Sequence, residues 1–203
     1  VCAVDNAGTW SAIRTAGPFV VDSAAPAGDG RLYVTDWGLG QVLRYQEDGT
    51  GRATLASGLA TPHEITIDPV NGKLYWGESG SATIKRSNLD GSGVEVVVTG
   101  ATGIFGVAVD APAGRIYWTE YSTGRLRRSN LDGTGVTDIL TGLAGPNGIA
   151  LDRAAGKLYW GNNSSGTVQR VNTDGTDSQV IASSTSACDV DLDLEAGKIY
   201  WSS

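Results

Sequence analysis

The chain has 203 residues, 40% of them hydrophobic and 18% charged, which suits a packed core and excludes a disordered chain. Its formal net charge of −7 disfavours the basic face that phosphate binding demands, so no nucleic-acid partner is expected and a neutral or basic ligand suits it better. No apolar run reaches the length of a spanning helix, so no membrane insertion is expected. Methionine is absent and the chain starts at Val1, which reads as a mature chain or, by preference, an excerpt of a longer one. Cys2 and Cys188 admit a bridge or two separate thiols and do not fix the redox compartment.

Residues 1–27 stand apart from the rest of the chain. Ala3-Val4-Asp5-Asn6-Ala7-Gly8-Thr9-Trp10-Ser11 reads as a short strand, an Asn/Gly turn and the start of a second strand. Pro18-Phe19-Val20-Val21-Asp22 reads as another strand, and Ser23-Ala24-Ala25-Pro26-Ala27-Gly28-Asp29-Gly30 as a linker. This stretch resembles the closing strands of a fibronectin type III or bacterial immunoglobulin-like domain, and residues 1–27 are assigned to the tail of such a domain plus linker. A competing reading makes Phe19-Val20-Val21-Asp22 the first strand of the repeat array. Asp22 lies 10 residues before Leu32, whereas Asp152 lies 6 before Leu158, so the separate domain is preferred.

From Arg31 to Ser203 one unit recurs. Tyr33, Tyr75, Tyr117, Tyr159 and Tyr200 follow one another at intervals of 42, 42, 42 and 41 residues, and Trp76, Trp118, Trp160 and Trp201 follow the last four directly. A fixed period of this size means stacked supersecondary units, none able to bury its apolar faces alone. Each unit holds four strand-like runs and no helical period: in one, Ile149-Ala150-Leu151, Lys157-Leu158-Tyr159-Trp160, Val168-Gln169-Arg170-Val171 and Ser178-Gln179-Val180-Ile181. That is the spacing of a propeller blade. Asp48-Gly49, Asp90-Gly91, Asp132-Gly133 and Asp174-Gly175 join the third and fourth runs as hairpin turns, where glycine takes the positive φ at no steric cost.

Tyr117-Trp118-Thr119-Glu120, Arg128-Ser129-Asn130-Leu131-Asp132-Gly133, and the stretch from Gly142-Leu143 to Ile149-Ala150-Leu151-Asp152 resemble the low-density lipoprotein receptor class B, or YWTD, repeat. The resemblance covers residues 31–203 in about five copies. It implies an all-β, six-bladed β-propeller, extracellular, that binds proteins and has no activity of its own. Two departures stand out. Val34 replaces the tryptophan of the first copy, which also resembles the wider six-bladed class that includes lactonases. The 173 residues from Arg31 hold about four blades and part of a fifth, whereas six would need about 252.

Two series recur beside each tyrosine. An acid or amide stands three residues later (Asp36, Glu78, Glu120, Asn162) and an arginine eleven later (Arg44, Arg86, Arg128, Arg170), which predicts an Arg–carboxylate pair in each hairpin. Asp68, Asp110, Asp152 and Asp193 close the first runs and read as strand-end caps. The ligand candidates are residues that change from copy to copy where first runs begin and second runs turn into third. They are His63, Glu64, Phe105, Asn147 and Cys188 in one loop set, and Trp37, Tyr121, Asn162 and Asn163 in the other, with Glu78 and Glu120 beside them. Asn162-Asn163-Ser164-Ser165 holds overlapping N-x-S sequons. His63 is the sole histidine, so no His-based metal cluster or repeated His-paired nucleophile can be built. No cofactor is expected, with calcium the one ion the residues admit, held by Glu64, Asp36 and Asn147. The expectation is a non-enzymatic scaffold of a secreted or cell-surface protein, bacterial by its lead-in, presenting its loop end to a protein or peptide. The alternatives are a calcium-dependent, lactonase-like hydrolase and a structural spacer. Oligomeric state is not readable.

Overall fold

The computed structural model describes residues 30–203, together with the backbone of three short strands before them. Among the described residues there are strands and no helix. They fall into two compact units, Val1–Thr99 and Gly100–Ser203.

The first unit opens with β1 (Ala3–Val4) paired to β2 (Trp10–Ser11). Two antiparallel four-stranded sheets follow. One is built from β3 (Phe19–Asp22), β4 (Arg31–Asp36), β5 (Gln41–Gln46) and β6 (Ala53–Ser57). The other is built from β7 (Pro62–Asp68), β8 (Lys73–Glu78), β9 (Thr83–Asn88) and β10 (Glu95–Thr99). The second unit holds β11 (Ile104–Asp110), β12 (Arg115–Glu120), β13 (Arg125–Asn130) and β14 (Thr137–Leu140) as one sheet. Its next sheet is β15 (Pro146–Asp152), β16 (Lys157–Asn162), β17 (Thr167–Asn172) and β18 (Gln179–Ser183). β19 (Val190–Asp193) and β20 (Lys198–Trp201) form a two-stranded sheet.

Register repeats from sheet to sheet. Tyr33 lies opposite Arg44, Tyr75 opposite Arg86, Tyr117 opposite Arg128 and Tyr159 opposite Arg170. Successive side chains point to opposite faces of a strand, so each Tyr-Trp pair sends one ring to each side of its sheet. Within the first unit Tyr33, Val42, Ile65, Ile67, Leu74 and Trp76 pack together. Within the second, Ala108, Tyr117, Leu126, Ile149, Leu158, Trp160 and Val171 do the same, and Tyr159, Val168, Ala187 and Val190 form a further cluster. Trp76, Trp118 and Trp160 are fully buried. Each removes about 150–250 Å² from water, on the order of 4–6 kcal/mol before the cost of ordering the side chain. Trp201, at the same place in β20, is 41% exposed because that sheet has two strands.

The Asp caps are as the sequence implies. Asp68 Oδ1 accepts the amides of Val70 and Asn71, and Asp110, Asp152 and Asp193 accept those of Ala113, Ala155 and Ala196. In the Asp-Gly turns Asp90, Asp132 and Asp174 each take the amide and hydroxyl of the residue two positions on. Those oxygens are engaged in closing the turn.

Phe19-Val20-Val21-Asp22 requires a correction. Expected within the leading domain, it pairs antiparallel with β4 as the first strand of a sheet, Phe19 opposite Asp36 and Asp22 opposite Tyr33. The spacing comparison with Asp152 failed because pairing constrains the strands and not the length of their connection, and loop closure grows only slowly with length. The immunoglobulin-like reading of the residues before Phe19 falls, apart from the β1–β2 pairing, outside the described residues. So does Cys2.

Candidate functional site

Antiparallel order places the start of each first strand and the turn after each second strand at one end of the sheet. Three first strands begin with a bulge. Pro62 pairs with Glu78 and the next pairing is Ile65 with Trp76, which leaves His63 and Glu64 out of the ladder. Phe105-Gly106 and Asn147-Gly148 are left out in the same way. A bulge re-aims the residues it releases. His63, Phe105 and Asn147, singled out in the sequence as varying, are these released residues.

In the first unit, His63 Nε2 lies 3.0 Å from Ser79 Oγ, in the turn after β8. Burial pushes the His63 imidazole below its ordinary value, so it is neutral at pH 7. Ser79 is fixed by its amide, which donates to Thr61 O at 3.2 Å, while Gly80 N donates to Ala60 O at 3.0 Å. Thr61 holds φ at +57°, where the equivalent Gly103 and Gly145 take +66° and +68°. Trp37 and Leu39, in the turn after β4, are 45% and 66% exposed, and the Leu39 amide donates to Asp36 Oδ1 at 2.9 Å.

In the second unit the same end is aromatic and amide-bearing. The rings of Phe105 and Tyr121 are tilted against each other with centroids 5.1 Å apart. Tyr121 also lies on Gly145, where a Cβ would come within 3.0 Å of its ring. Thr119 Oγ1 accepts the Gly106 amide at 2.9 Å and donates to the main-chain oxygen of Asn147, tying neighbouring sheets together. Asn163 Nδ2 donates to Cys188 Sγ at 2.8 Å. The two loop sets therefore meet, residue against residue: His63 with Ser79, Phe105 with Tyr121, Asn163 with Cys188.

Glu78, Glu120 and Asn162 need correction as ligand candidates. All three are buried, and each accepts the indole N–H of the tryptophan two residues before it, at 3.0, 3.0 and 3.2 Å. Glu78 also takes the Ala60 amide at 2.9 Å, Ser81 Oγ at 3.2 Å and Lys85 Nζ at 2.9 Å. Burial alone would raise its carboxyl; the bonds from Lys85, Ala60 and Trp76 outweigh it and hold the group below the usual range. Glu120 takes Thr123 Oγ1 at 2.7 Å and Arg127 at 3.1 Å, and the Arg127 guanidinium stands 5.8 Å over the Trp118 ring. The predicted partners, Arg86 and Arg128, belong to the other face. Arg86 bonds Glu95 at 2.7 Å and Tyr75 Oη at 3.4 Å, and Arg128 donates to Thr173 O at 2.9 Å.

Among the described residues no three His, Cys, Asp or Glu side chains gather as a metal-ligand set. Asp36, named with Glu64 and Asn147 for calcium, spends one carboxylate oxygen on its own turn. No helix is long and apolar enough to cross a membrane among the described residues. Ser79 was missed in the sequence. Its signal was the bulge position of His63, visible only once Pro62 and Ile65 are both paired.

This fold is that of a β-propeller, with the Tyr-Trp second strand as its repeated core. No protein-family model matches the sequence, and no curated protein does. Solved structures do. The chain superposes on a chain from the crystal structure of a nidogen/laminin complex with a TM-score of 0.78 at 22% identity, covering 85% of this chain and 67% of that one. It superposes on virginiamycin B lyase from Staphylococcus aureus with a TM-score of 0.72 at 18% identity, covering 91% and 62%. A streptogramin B lyase gives 0.73 at 15% identity, covering 91% and 61%. The chain thus spans between 61% and 67% of these three chains' own length. At such identities the likeness is one of fold, shared by a protein in a binding complex and by enzymes.

Proposed function

We propose that the chain is an extracellular protein-binding scaffold of the YWTD class, secreted or at the cell surface, which presents the loop end of its blades to a protein or peptide. One observation carries this reading. Side chains at that end change identity from sheet to sheet (His63, Phe105 and Asn147 at one position; Trp37, Ser79, Tyr121 and Asn163 at the other), while the tyrosine beneath them stays constant and the tryptophan gives way only to Val34 in the first sheet. A repeat scaffold that varies at one end is built for recognition. The exposed Trp37-Leu39 turn and the half-buried Phe105–Tyr121 pair supply the rigid aromatic anchors that protein interfaces favour. The likeness to a chain crystallised in a nidogen/laminin complex supports a binding role. A bacterial source and an immunoglobulin-like lead-in belong to the same proposal.

The test is selection of a displayed random peptide library on the immobilised chain. Bound peptides are expected to lose at least tenfold in affinity with Trp37→Ala at unchanged melting temperature, or with Tyr121→Ala measured below its own unfolding transition. Peptides that bind both variants as tightly as wild type would refute the assignment of this end. A second reading, a calcium-dependent hydrolase, draws on the enzymes among the structural neighbours. Calcium-dependent turnover of a lactone panel would favour it over the first.

A further inference from the structure

The hydrogen-bonded His63–Ser79 pair is not required by the fold. The corresponding place in the next sheet is filled by the Phe105–Tyr121 ring contact. What the pair has is the arrangement of a base beside a hydroxyl nucleophile: 3.0 Å between Nε2 and Oγ, a half-buried imidazole, and a serine held by main-chain bonds on either side of a turn. We propose that Ser79 and His63 act as a nucleophile–base pair that accepts acyl groups from activated carboxylic esters. This activity lies beyond the binding role and uses no metal.

In the Nδ1–H tautomer, Nε2 accepts the Ser79 hydroxyl proton while Oγ bonds to the ester carbonyl carbon. The tetrahedral adduct collapses with cleavage of the ester C–O bond, and the leaving alcohol takes the proton from His63. Water then repeats the sequence on the acyl-serine and releases the carboxylic acid, so both steps balance without an oxidant or reductant. The substrate class is set by the groups nearby. The Ser79 and Gly80 amides are already bonded to Thr61 O and Ala60 O and offer no ready oxyanion donor. Such a donor is worth about 10²–10³ in rate, so only esters with good leaving groups, such as aryl esters, are within reach.

The full chain is treated with a fluorophosphonate probe, digested and mapped by mass spectrometry, and p-nitrophenyl acetate hydrolysis is followed in parallel. Expected are a single adduct on Ser79 and hydrolysis above buffer. Ser79→Ala should abolish both, and His63→Ala should slow both at least tenfold with tryptophan fluorescence unchanged. Ser79→Cys, which keeps a nucleophile, should retain p-nitrophenyl acetate hydrolysis if His63 is the base. No adduct on Ser79 in the folded wild type, or one formed equally fast in His63→Ala, would overturn the proposal. Neither outcome bears on the peptide selection.

Discussion

Replacing Glu78 by glutamine tests whether the buried acid is part of the framework. Oε1 takes the Trp76 indole N–H and the Lys85 ammonium; Oε2 takes the Ala60 amide and the Ser81 hydroxyl. A glutamine must aim its NH₂ at one of these donor pairs. The better choice faces Ser81, whose hydroxyl can turn to accept, and it leaves the Ala60 N–H without an acceptor at about 1–3 kcal/mol. Lys85 also loses its counter-charge, but its side chain is 21% exposed, so solvent limits that loss to about 1 kcal/mol or less. The expected destabilisation is about 1–4 kcal/mol at pH 7, read by urea unfolding followed through tryptophan fluorescence. The sign of the pH effect is fixed as well. The Glu78 carboxyl is held below its ordinary 4.5, so its contribution is complete above that value and fades as pH falls through the lower folded value. The glutamine variant lacks this component, so the gap to wild type should narrow in acid. A loss under about 0.5 kcal/mol at pH 7, or a gap independent of pH, would refute the network as drawn.

Four further substitutions separate strain from satisfaction. Tyr33 Oη is buried with no hydrogen-bond partner among the described residues, whereas Tyr75 Oη accepts from Arg86 at 3.4 Å. Tyr33→Phe should therefore be neutral or stabilising and Tyr75→Phe should cost about 0.5–1.5 kcal/mol in the same assay, equal losses counting against the difference. Thr61→Gly relieves a β-branched residue at φ +57° and should stabilise by about 0.5–1 kcal/mol after the added unfolded-state entropy; a lower melting temperature would show Thr61 is not strained. Gly145→Ala adds a Cβ at φ +68° that would meet Ser164 Oγ at 2.7 Å and the Tyr121 ring at 3.0 Å. It should cost about 2 kcal/mol or more and shift the Tyr121 ring resonances, and an unmoved ring would contradict the packing.

The repeat, its four strands and the end at which the variable residues gather were legible because one period ran through the whole array. The partner of each acid was not, although parity could have supplied it. With four residues in the turn after β8, Glu78 lies opposite Thr83 and Tyr75 opposite Arg86. Glu78 is three residues from Tyr75 and so shares the face of Trp76, with Lys85 opposite that tryptophan. Counting eleven from tyrosine found a recurrent arginine on the wrong face. The His63–Ser79 contact was hidden for a related reason. A bulge breaks the alternation on which such counts depend, and nothing local in Thr61-Pro62-His63-Glu64-Ile65 marks one.

Compared across sheets, the same positions show why the acids are framework. Glu78 faces Lys85, Glu120 faces Arg127, and in the next sheet Asn162 stands with Gln169, so charge disappears from both places together. In the first sheet Val34 has no indole N–H to satisfy. There Asp36 turns to the Leu39 amide, and the position of the cation is taken by Leu43, buried against the sheet. A ligand-binding acid would have no reason to lose its charge together with the cation behind it while Trp160 keeps its place. An acceptor whose task is to satisfy the tryptophan can, because an amide oxygen takes the indole N–H as a carboxylate does, whereas a buried carboxylate that has lost its cation is costly. That dependence removes Glu78, Glu120 and Asn162 from the proposed recognition end. It leaves Trp37, His63, Glu64, Phe105, Tyr121, Asn147 and Asn163 as the positions proposed for partner contact.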